Sequence, residues 1–344
     1  MEKQEKYHRE LNEFERMTEE GAREQGEPLP QHGGSIGTSS TADGRTNGAA
    51  AAALPSKARG YSAVTRARDI LWCFHNLAEN PTRHGGQQRS VSQRAPWTAD
   101  PDHGMHPGTP VYNTVRFAGW SSLKPMWQQV EEIGMDVLSI GAAFPEGINL
   151  IGYSQGGLLA RAILQRFPTH NVRNFISLSS PQAGQYGTRF LHLIFPDLAC
   201  ETAYELFYSR LGQYTSVGNY WNDPHHQKFY YEYSKFLPYV NNEMNSFNNS
   251  DYKIGLTKLK RMILIGGPDD GVITPWESSH FGYYDNNSTV IDMRDRDIYK
   301  FDTIGLKTLD KQDKLKIITV PGISHTEWHT NISIVDQFLL PYLD

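Results

Sequence analysis

A short glycine-rich turn between an apolar run and a helical pattern constrains the fold more than any other feature. The run Gly147–Tyr153 is largely apolar, and Ser154–Phe167 has apolar residues at helical spacing. The turn between them, Gly152-Tyr-Ser154-Gln-Gly156, is a G-x-S-x-G motif. Small residues two positions before and after the serine relieve the crowding of a sharp strand-to-helix turn. The motif therefore predicts a strand, a tight turn and a helix, with the serine hydroxyl exposed at the end of a sheet.

The chain after residue 106 alternates β-type runs with helical patterns. The predicted strands are Thr109–Ala118, Gly147–Tyr153, Val172–Leu178, Lys260–Gly266 and Leu315–Val320, and the predicted helices are Ser122–Glu132, Ser154–Phe167 and Ile332–Leu343. Continuous apolar runs separated by helices indicate a mainly parallel sheet flanked by helices on both faces, an α/β class of fold. Residues 182–258 are rich in Tyr, Phe, Asn and His and interrupt this alternation. We expect them to form an insertion that acts as a lid or pocket wall.

Composition divides the chain near residue 106. Residues 1–30 are highly charged, residues 31–69 are rich in Gly, Ser, Thr and Ala, and residues 83–108 are polar and turn-forming. Such segments bury too little apolar area to offset the entropy of ordering the chain. We therefore expect residues 1–105 to be poorly ordered apart from a short charged helix over Lys6–Met17, and residues 106–344 to form the folded domain. One apolar patch, Asp69–Leu77, lies within the first segment.

Charge, cysteine content and hydropathy exclude several classes of protein. The 344 residues have 33 Lys and Arg against 38 Asp and Glu, so a basic nucleic-acid footprint is absent. Two cysteines, Cys73 and Cys200, exclude a disulfide framework and a cysteine-based zinc module. No run approaches 18 apolar residues, so we expect no stable membrane insertion. The oligomeric state stays open.

The signals for cellular location conflict. The first residues are both acidic and basic, and the apolar run Ala49–Leu54 is too short and too far from the start to be a signal peptide. This pattern favours the cytosol. Four Asn-x-Ser/Thr sequons favour a lumenal protein instead, at Asn248, Asn286, Asn287 and Asn331.

A serine hydroxyl needs a base and an orienting carboxylate to act as a nucleophile. After a nucleophile elbow the acid comes next along the chain and the histidine last, each just past a strand. Asp269 and Asp270 follow the run that ends at Gly266, and His325 follows the run that ends at Val320. We predict that Ser154, one of these two acids, and His325 converge at one sheet edge. The backbone N–H of Gln155 is the predicted oxyanion donor.

Two other groups of residues offer metal-ligand chemistry. His325 and His329 are four residues apart with Glu327 between them, but the zinc helix motif needs H-E-x-x-H on a helix. Asp223-Pro-His225-His226 places three potential ligands close together in the sequence without a marked distant ligand. We expect no metal and no cofactor, and we interpret the second group as part of the lid.

Long collinear stretches give the chain a family resemblance. They are Leu150-Ile-Gly-Tyr-Ser-Gln-Gly-Gly-Leu158, Phe175-Ile-Ser-Leu-Ser-Ser-Pro-Gln-Ala-Gly-Gln-Tyr-Gly187, Asn219-Tyr-Trp-Asn-Asp-Pro-His-His226, Leu264-Ile-Gly-Gly-Pro-Asp-Asp-Gly-Val-Ile-Thr-Pro-Trp276, Gly305-Leu-Lys-Thr-Leu309 and Gly322-Ile-Ser-His-Thr-Glu-Trp-His329. Over about residues 106–344 the chain resembles the palmitoyl-protein thioesterase family, and within it the lysosomal branch.

This resemblance implies an α/β-hydrolase fold and a serine thioesterase that acts on fatty-acyl thioesters, of the acyl-CoA or S-palmitoyl type, in the lysosome. Residue by residue it implies Ser154 as nucleophile, His325 as base and Asp270 as acid, because the family's acid directly precedes the position of Gly271. It implies no cofactor.

The chain departs from the family pattern at several positions. Members of the family begin with a secretory signal, which is followed by a strand that ends in His-Gly and an apolar residue. The loop after that strand gives the second backbone N–H of the oxyanion hole. The candidate here is His75-Asn76-Leu77, either that loop or a chance apolar patch. Gly152, Phe207 and Gly218 stand where family cysteines are expected. Three alternatives therefore stay open. The N-terminus could be misassembled, the protein could be a carboxylesterase or lipase, or it could be a catalytically silent lipid-binding homologue with an incomplete oxyanion hole.

Overall fold

In the part of the chain that the structure describes, six parallel strands form one sheet in the order β2-β1-β3-β4-β5-β8, and β6 and β7 form a separate two-stranded antiparallel sheet. The strands are β1 (Asp69–Cys73), β2 (Val111–Thr114), β3 (Ile148–Tyr153), β4 (Val172–Leu178), β5 (Arg261–Gly266), β6 (Tyr283–Tyr284), β7 (Val290–Ile291) and β8 (Leu315–Thr319). The computed structural model describes residues 69–73, 111–114, 116–117, 119–187, 189, 200–244 and 250–343. The helix expected over Lys6–Met17 lies outside these residues.

Helices connect these strands. They are α1 (Met126–Ala143), α2 (Gln155–Arg166), α3 (Ala203–Phe207), α4 (Ser216–Tyr220), α5 (Gln227–Tyr233), α6 (Leu237–Val240), α7 (Ser250–Thr257), α8 (Asp297–Lys300), α9 (Leu306–Lys311) and α10 (Ile332–Ile334). Among the described residues, no helix combines the length and the apolar character that a membrane crossing needs.

The central strands are apolar throughout because both faces of the sheet are covered. Leu150 of β3 and Leu264 of β5 belong to the same buried cluster as Leu159 of α2. Their neighbours Ile151 and Ile265 belong to a second cluster on the opposite face, formed with the C-terminal segment. Alternate residues of a strand point to opposite faces, so a sheet covered on both sides needs no polar positions. The predicted parallel sheet flanked by helices is confirmed.

Strand β1 comes from the segment that composition assigns to a poorly ordered N-terminal region. It pairs in parallel with both β2 and β3, and Cys73 lies opposite Gly152 of the serine motif. The folded part of the chain therefore includes residues upstream of 106. A strand of five residues within a long polar segment is too short to change the average composition, which is why composition placed the boundary later. His75-Asn76-Leu77, which follows it, lies outside the described residues.

Helix α1 begins and ends later than the predicted Ser122–Glu132. Residues 119–123 form a 3₁₀ turn, and the α-helix begins after Pro125. A proline disfavours helical backbone in the residue before it, here Lys124, so the helix cannot begin earlier. It then continues to Ala143 because the buried positions Val130 and Val137 keep the helical spacing.

The C-terminal segment is helical over much of the predicted Ile332–Leu343 but is not one α-helix. After α10 it forms a π-helical turn over Val335–Leu339 and a 3₁₀ turn over Leu340–Tyr342. Pro341 explains the change, since it lacks an N–H and its ring clashes with the carbonyl four residues earlier in an α-helix.

The insertion between β4 and β5 is helical in its described part and is fastened to α2 by a buried arginine. The Arg161 guanidinium donates hydrogen bonds to Gln182 Oε1 at 2.7 Å, Asn241 Oδ1 at 3.0 Å and the Val240 carbonyl at 3.3 Å. Burial lowers the pKa of Arg161 to about 9. A buried charge is tolerated only when its donors are satisfied, so this network ties the insertion to the helix that follows Ser154.

Candidate functional site

Three polar side chains meet at the carboxyl edge of the sheet. Ser154 follows β3, Asp270 lies four residues after β5, and His325 lies in the turn after β8. His325 Nε2 is 2.9 Å from Ser154 Oγ, and His325 Nδ1 is 2.8 Å from Asp270 Oδ2. The carboxyl ends of parallel strands share one edge, which is why residues up to 171 positions apart become neighbours. The serine, one of the two candidate acids and the histidine are thus brought together.

Ser154 occupies a strained backbone conformation. Its φ is +54° and its ψ is −131°, and its N–H donates to the Leu178 carbonyl of β4 at 2.9 Å. A side chain on Gly157 would lie 2.8 Å from Ser180, so the glycine lets α2 approach the sheet closely. A non-glycine residue with this backbone needs support from its surroundings, and such strain is common at functional sites. The turn directs the serine hydroxyl out of the sheet edge.

The Asp270 carboxylate is buried and heavily hydrogen-bonded. Its Oδ1 accepts from the N–H groups of Val272 at 3.0 Å and Ile273 at 2.7 Å. Burial acts to raise the pKa of Asp270, but the hydrogen bond and charge of His325 and the bonds from Ser179 and Ile273 outweigh it, so the pKa lies below its ordinary value. The carboxylate is therefore ionised and able to stabilise a positive charge on the imidazole.

The second candidate acid, Asp269, points elsewhere. Its Oδ2 accepts a hydrogen bond from the Gly322 N–H at 2.7 Å, and the residue is exposed. It holds together the two loops that follow β5 and β8. Of the two acids left open by the sequence, Asp270 contacts His325.

His325 is held on several sides and its side chain is only 11% exposed. The backbone N–H of His325 donates to the backbone carbonyl of Asp270 at 2.9 Å, and the Tyr153 hydroxyl donates to the backbone carbonyl of His325 at 2.6 Å. Burial, with a smaller effect of the Asp270 charge, raises the pKa of Tyr153, so this phenol remains a donor. The imidazole can therefore exchange a proton with Ser154 without moving its backbone.

Gln155 begins α2 directly after the serine. The first four N–H groups of a helix have no partner within it, and the helix dipole adds partial positive charge there. The Gln155 side chain is buried, and its Nε2 donates to the Ser122 carbonyl at 2.9 Å. Gln129 Nε2 donates to the same carbonyl at 2.9 Å. These contacts fix the position of the Gln155 backbone beside Ser154.

Two residues at the site were not predicted from the sequence. Ser179 directly follows β4 and donates to Asp270 Oδ2 at 2.5 Å, and Trp328 Nε1 donates to the same oxygen at 2.7 Å. Ser179 had a weak signal, since it directly follows the predicted strand Val172–Leu178. Trp328 had none, because a tryptophan near a chain terminus is usually an apolar core residue.

The residues considered as metal ligands have other contacts. His226 Nδ1 lies 2.9 Å from Asp223 Oδ2, the ring stacks on Tyr204, and His225 Nε2 lies 3.1 Å from Ser288 Oγ. In the part of the chain that the structure describes, no group of three or more His, Cys, Asp or Glu side chains is arranged so that it could hold a metal ion.

Known proteins resemble this chain over most of its length. The family model described as palmitoyl protein thioesterase matches residues 83–325. The protein named lysosomal thioesterase PPT2 homolog of Drosophila melanogaster is 55% identical over 240 residues, which cover 70% of this chain and 83% of that protein. Lysosomal thioesterase PPT2 of Rattus norvegicus is 46% identical over 239 residues, which cover 69% of this chain and 79% of that protein. This chain belongs to the palmitoyl-protein thioesterase family.

Proposed function

We propose that the protein hydrolyses fatty-acyl thioesters, of the acyl-CoA or S-palmitoyl type, through an acyl-enzyme on Ser154. The observation that supports this most directly is the continuous chain of contacts from Ser154 Oγ through His325 to Asp270, with distances of 2.9 and 2.8 Å. Family membership supports the thioester as the bond that is cleaved.

In the first half of the reaction His325 Nε2 removes the proton of Ser154 as Oγ attacks the thioester carbonyl carbon. The carbonyl oxygen of the tetrahedral intermediate becomes negative, and the Asp270 carboxylate stabilises the imidazolium. The intermediate collapses, the carbon–sulfur bond breaks, and His325 returns the proton to the departing thiol. An ester between the fatty acid and Ser154 remains.

In the second half a water molecule attacks this ester while His325 Nε2 takes one of its protons. Collapse of the second tetrahedral intermediate returns that proton to Ser154 Oγ and releases the fatty acid. Each turnover consumes one water and leaves the protein unchanged. The chemistry that we propose uses no cofactor.

We propose the backbone N–H of Gln155 as one donor to the developing oxyanion. Its position at the start of α2, beside the nucleophile, supports this role. We propose that the acyl chain lies between the sheet edge and the 182–258 insertion, where open α/β sheets bind ligands.

The proposed place of action is the lysosomal lumen. Two relatives named lysosomal thioesterases match most of this chain, and the sequon residues Asn286 and Asn287 are exposed in the loop between β6 and β7. Digestion of cell-expressed protein with an endoglycosidase tests this proposal: a decrease in mass supports it, and an unglycosylated cytosolic product contradicts it.

Replacement of the serine tests the proposed reaction. Ser154→Ala should lower kcat for palmitoyl-CoA on the order of 10⁶-fold, since loss of the nucleophile removes the acyl-enzyme route. The free energy of unfolding should change by no more than about 0.5 kcal/mol, because no core packing is lost. Retained turnover would remove Ser154 from the mechanism.

The same assay distinguishes the substrate class. We expect wild-type protein to hydrolyse palmitoyl-CoA faster than an oxygen ester of the same chain length. The reverse order would favour a carboxylesterase or lipase. Absence of both activities, together with no labelling of Ser154 by a fluorophosphonate, would favour a silent lipid-binding protein.

A further inference from the structure

One oxygen of the Asp270 carboxylate is shared by three side-chain donors. Oδ2 lies 2.5 Å from Ser179 Oγ, 2.7 Å from Trp328 Nε1 and 2.8 Å from His325 Nδ1. A carboxylate that only orients a histidine needs one of these contacts. The other two donors are neutral and not part of the proton relay, so they need a separate explanation.

Both additional donors are fixed in place by the fold. Ser179 is fully buried at the end of β4, has a φ of +39°, and its N–H donates to the Ile265 carbonyl at 2.7 Å. Trp328 is fully buried in the cluster on the face of the sheet that the C-terminal segment covers. Ser179 directly follows β4, whereas Trp328 directly follows the 3₁₀ turn His325–Glu327, so the two donors reach the carboxylate from different parts of the sheet edge.

We propose that Ser179 and Trp328 are positioning residues that disperse the negative charge of Asp270 and thereby set the lower pH limit of the reaction; this inference rests on the proposed Ser154 mechanism. Each hydrogen bond to a carboxylate stabilises its charged form and leaves less charge to attract the imidazolium of His325. The base must be neutral to accept the proton of Ser154. Loss of either donor therefore leaves more negative charge on the carboxylate to attract the imidazolium.

Other titratable groups surround this site and remain unchanged in the experiment. They are Tyr153, whose ring centre is 5.0 Å from that of His325; His329, whose ring centre is 4.6 Å from that of Tyr153; Asp269, bonded to the Gly322 N–H; Glu327, bonded to Ser324; and Arg189, whose guanidinium lies near Gly271. Ser179 and Trp328 contact the carboxylate directly and carry no charge, so their removal changes its hydrogen bonding without changing the net charge.

The test uses two variants of the full chain, Ser179→Ala and Trp328→Phe. The rate constant for labelling of Ser154 by a fluorophosphonate is measured from pH 4 to pH 8. Each variant should move the midpoint of the acid limb to higher pH by about half to one unit, because one hydrogen bond to the ionised carboxylate is lost. The labelling rate on the alkaline plateau should fall by less than about tenfold, since the relay to His325 stays intact.

Matched controls are available in the same chain. Ser279 Oγ and Trp221 Nε1 are buried and have no hydrogen-bond partner. Ser279→Ala and Trp221→Phe therefore remove the same kinds of group, a buried hydroxyl and a buried indole N–H, without removing a donor to Asp270. Their acid limbs should coincide with that of wild-type protein. If the acid limb of a control variant moves as far as that of its test variant, a general loosening of the core causes the shift.

Several outcomes would overturn the proposal. An acid limb that is unmoved, or moved to lower pH, in both test variants would assign Ser179 and Trp328 a purely structural role. If Trp328→Phe does not fold, Ser179→Ala decides alone, because it removes a single oxygen atom. Wild-type protein that is not labelled at any pH would overturn the proposed function and this inference with it. Wild-type protein that is labelled but does not hydrolyse palmitoyl-CoA would overturn only the substrate class.

Discussion

Asp269 and Asp270 are adjacent acids with opposite environments. The Asp270 carboxylate is buried against His325, whereas Asp269 is exposed and bonded to the Gly322 N–H. That both follow a strand is visible in the sequence. Which one points inward depends on the turn at Gly271, whose φ is +79°, and residue types alone do not specify this. The residues alone therefore left two candidate acids, and only Asp270 contacts His325 in the structure.

A pair of isosteric substitutions tests this assignment. Asp270→Asn removes the charge that stabilises the imidazolium and favours the wrong histidine tautomer, so kcat for palmitoyl-CoA should fall by about 10⁴-fold, the loss known for this change in a serine protease. Asp269→Asn should stay within about threefold of wild type, since its carboxylate only joins two loops. The steady-state rates of the two variants show which aspartate is the acid. Equal losses would show that the acid is not fixed as the structure has it.

At the scale of elements, buried strands follow from the sequence more closely than helix ends do. The predicted Val172–Leu178 is β4 itself, and the predicted Lys260–Gly266 differs from β5 by one residue. Burial on both faces leaves a continuous apolar run whose ends are easy to locate. Helix α1 was predicted less well because Pro125 delays its start, and Ser122, its predicted first residue, is buried in the preceding 3₁₀ turn.

Close packing of α7 on α2 leads to a prediction at this scale. A Cβ at Gly255 would lie 2.0 Å from the Leu164 carbonyl oxygen, a backbone atom that cannot move aside. Gly255→Ala should therefore lower the free energy of unfolding by about 1–3 kcal/mol. The sign is informative, since alanine in a helix normally stabilises by about 1 kcal/mol relative to glycine.

Urea unfolding of Gly255→Ala and Ile254→Ala provides the comparison. Ile254 is 52% exposed on the same helix, so its truncation should cost much less. A Gly255→Ala variant as stable as wild type would mean that α7 can move away from α2 without loss.

At the scale of the whole molecule, the site results from strand order, which the sequence does not state. Strands β3, β4, β5 and β8 are neighbours, and each is followed by one residue of the cluster: Ser154, Ser179, Asp270 and His325. Motif spacing predicted Ser154 and His325 and left Asp269 and Asp270 open as the acid. The position of Ser179, and the role of β1 beside β3, depend on which strands pair over long distances. A single sequence gives little information on such pairing, because many orders bury the same apolar runs.

Buried histidines make the stability of the whole molecule depend on pH. His170 Nε2 donates to the Gly255 carbonyl at 2.8 Å, while its Nδ1 accepts from the Val172 N–H at 3.1 Å. This arrangement fits only the neutral ring, since protonation of Nδ1 would remove its acceptor. Burial lowers the pKa of His170 to about 4, and burial likewise lowers the pKa of His280 to about 4.

An unfolded histidine has a pKa of about 6.5, so between pH 6.5 and 4 the unfolded chain binds a proton that the folded chain does not. Stability is therefore complete above pH 6.5 and decreases as the pH falls, by about 2 kcal/mol for each histidine at pH 5. In His170→Gln the amide can keep both hydrogen bonds but cannot take up a proton. Chemical unfolding at pH 8 and pH 5 should then show a smaller loss of stability in the variant than in wild type, with similar stability at pH 8. An equal loss in both proteins would mean that His170 becomes protonated in the folded state without cost, and that the acid sensitivity of the fold originates elsewhere.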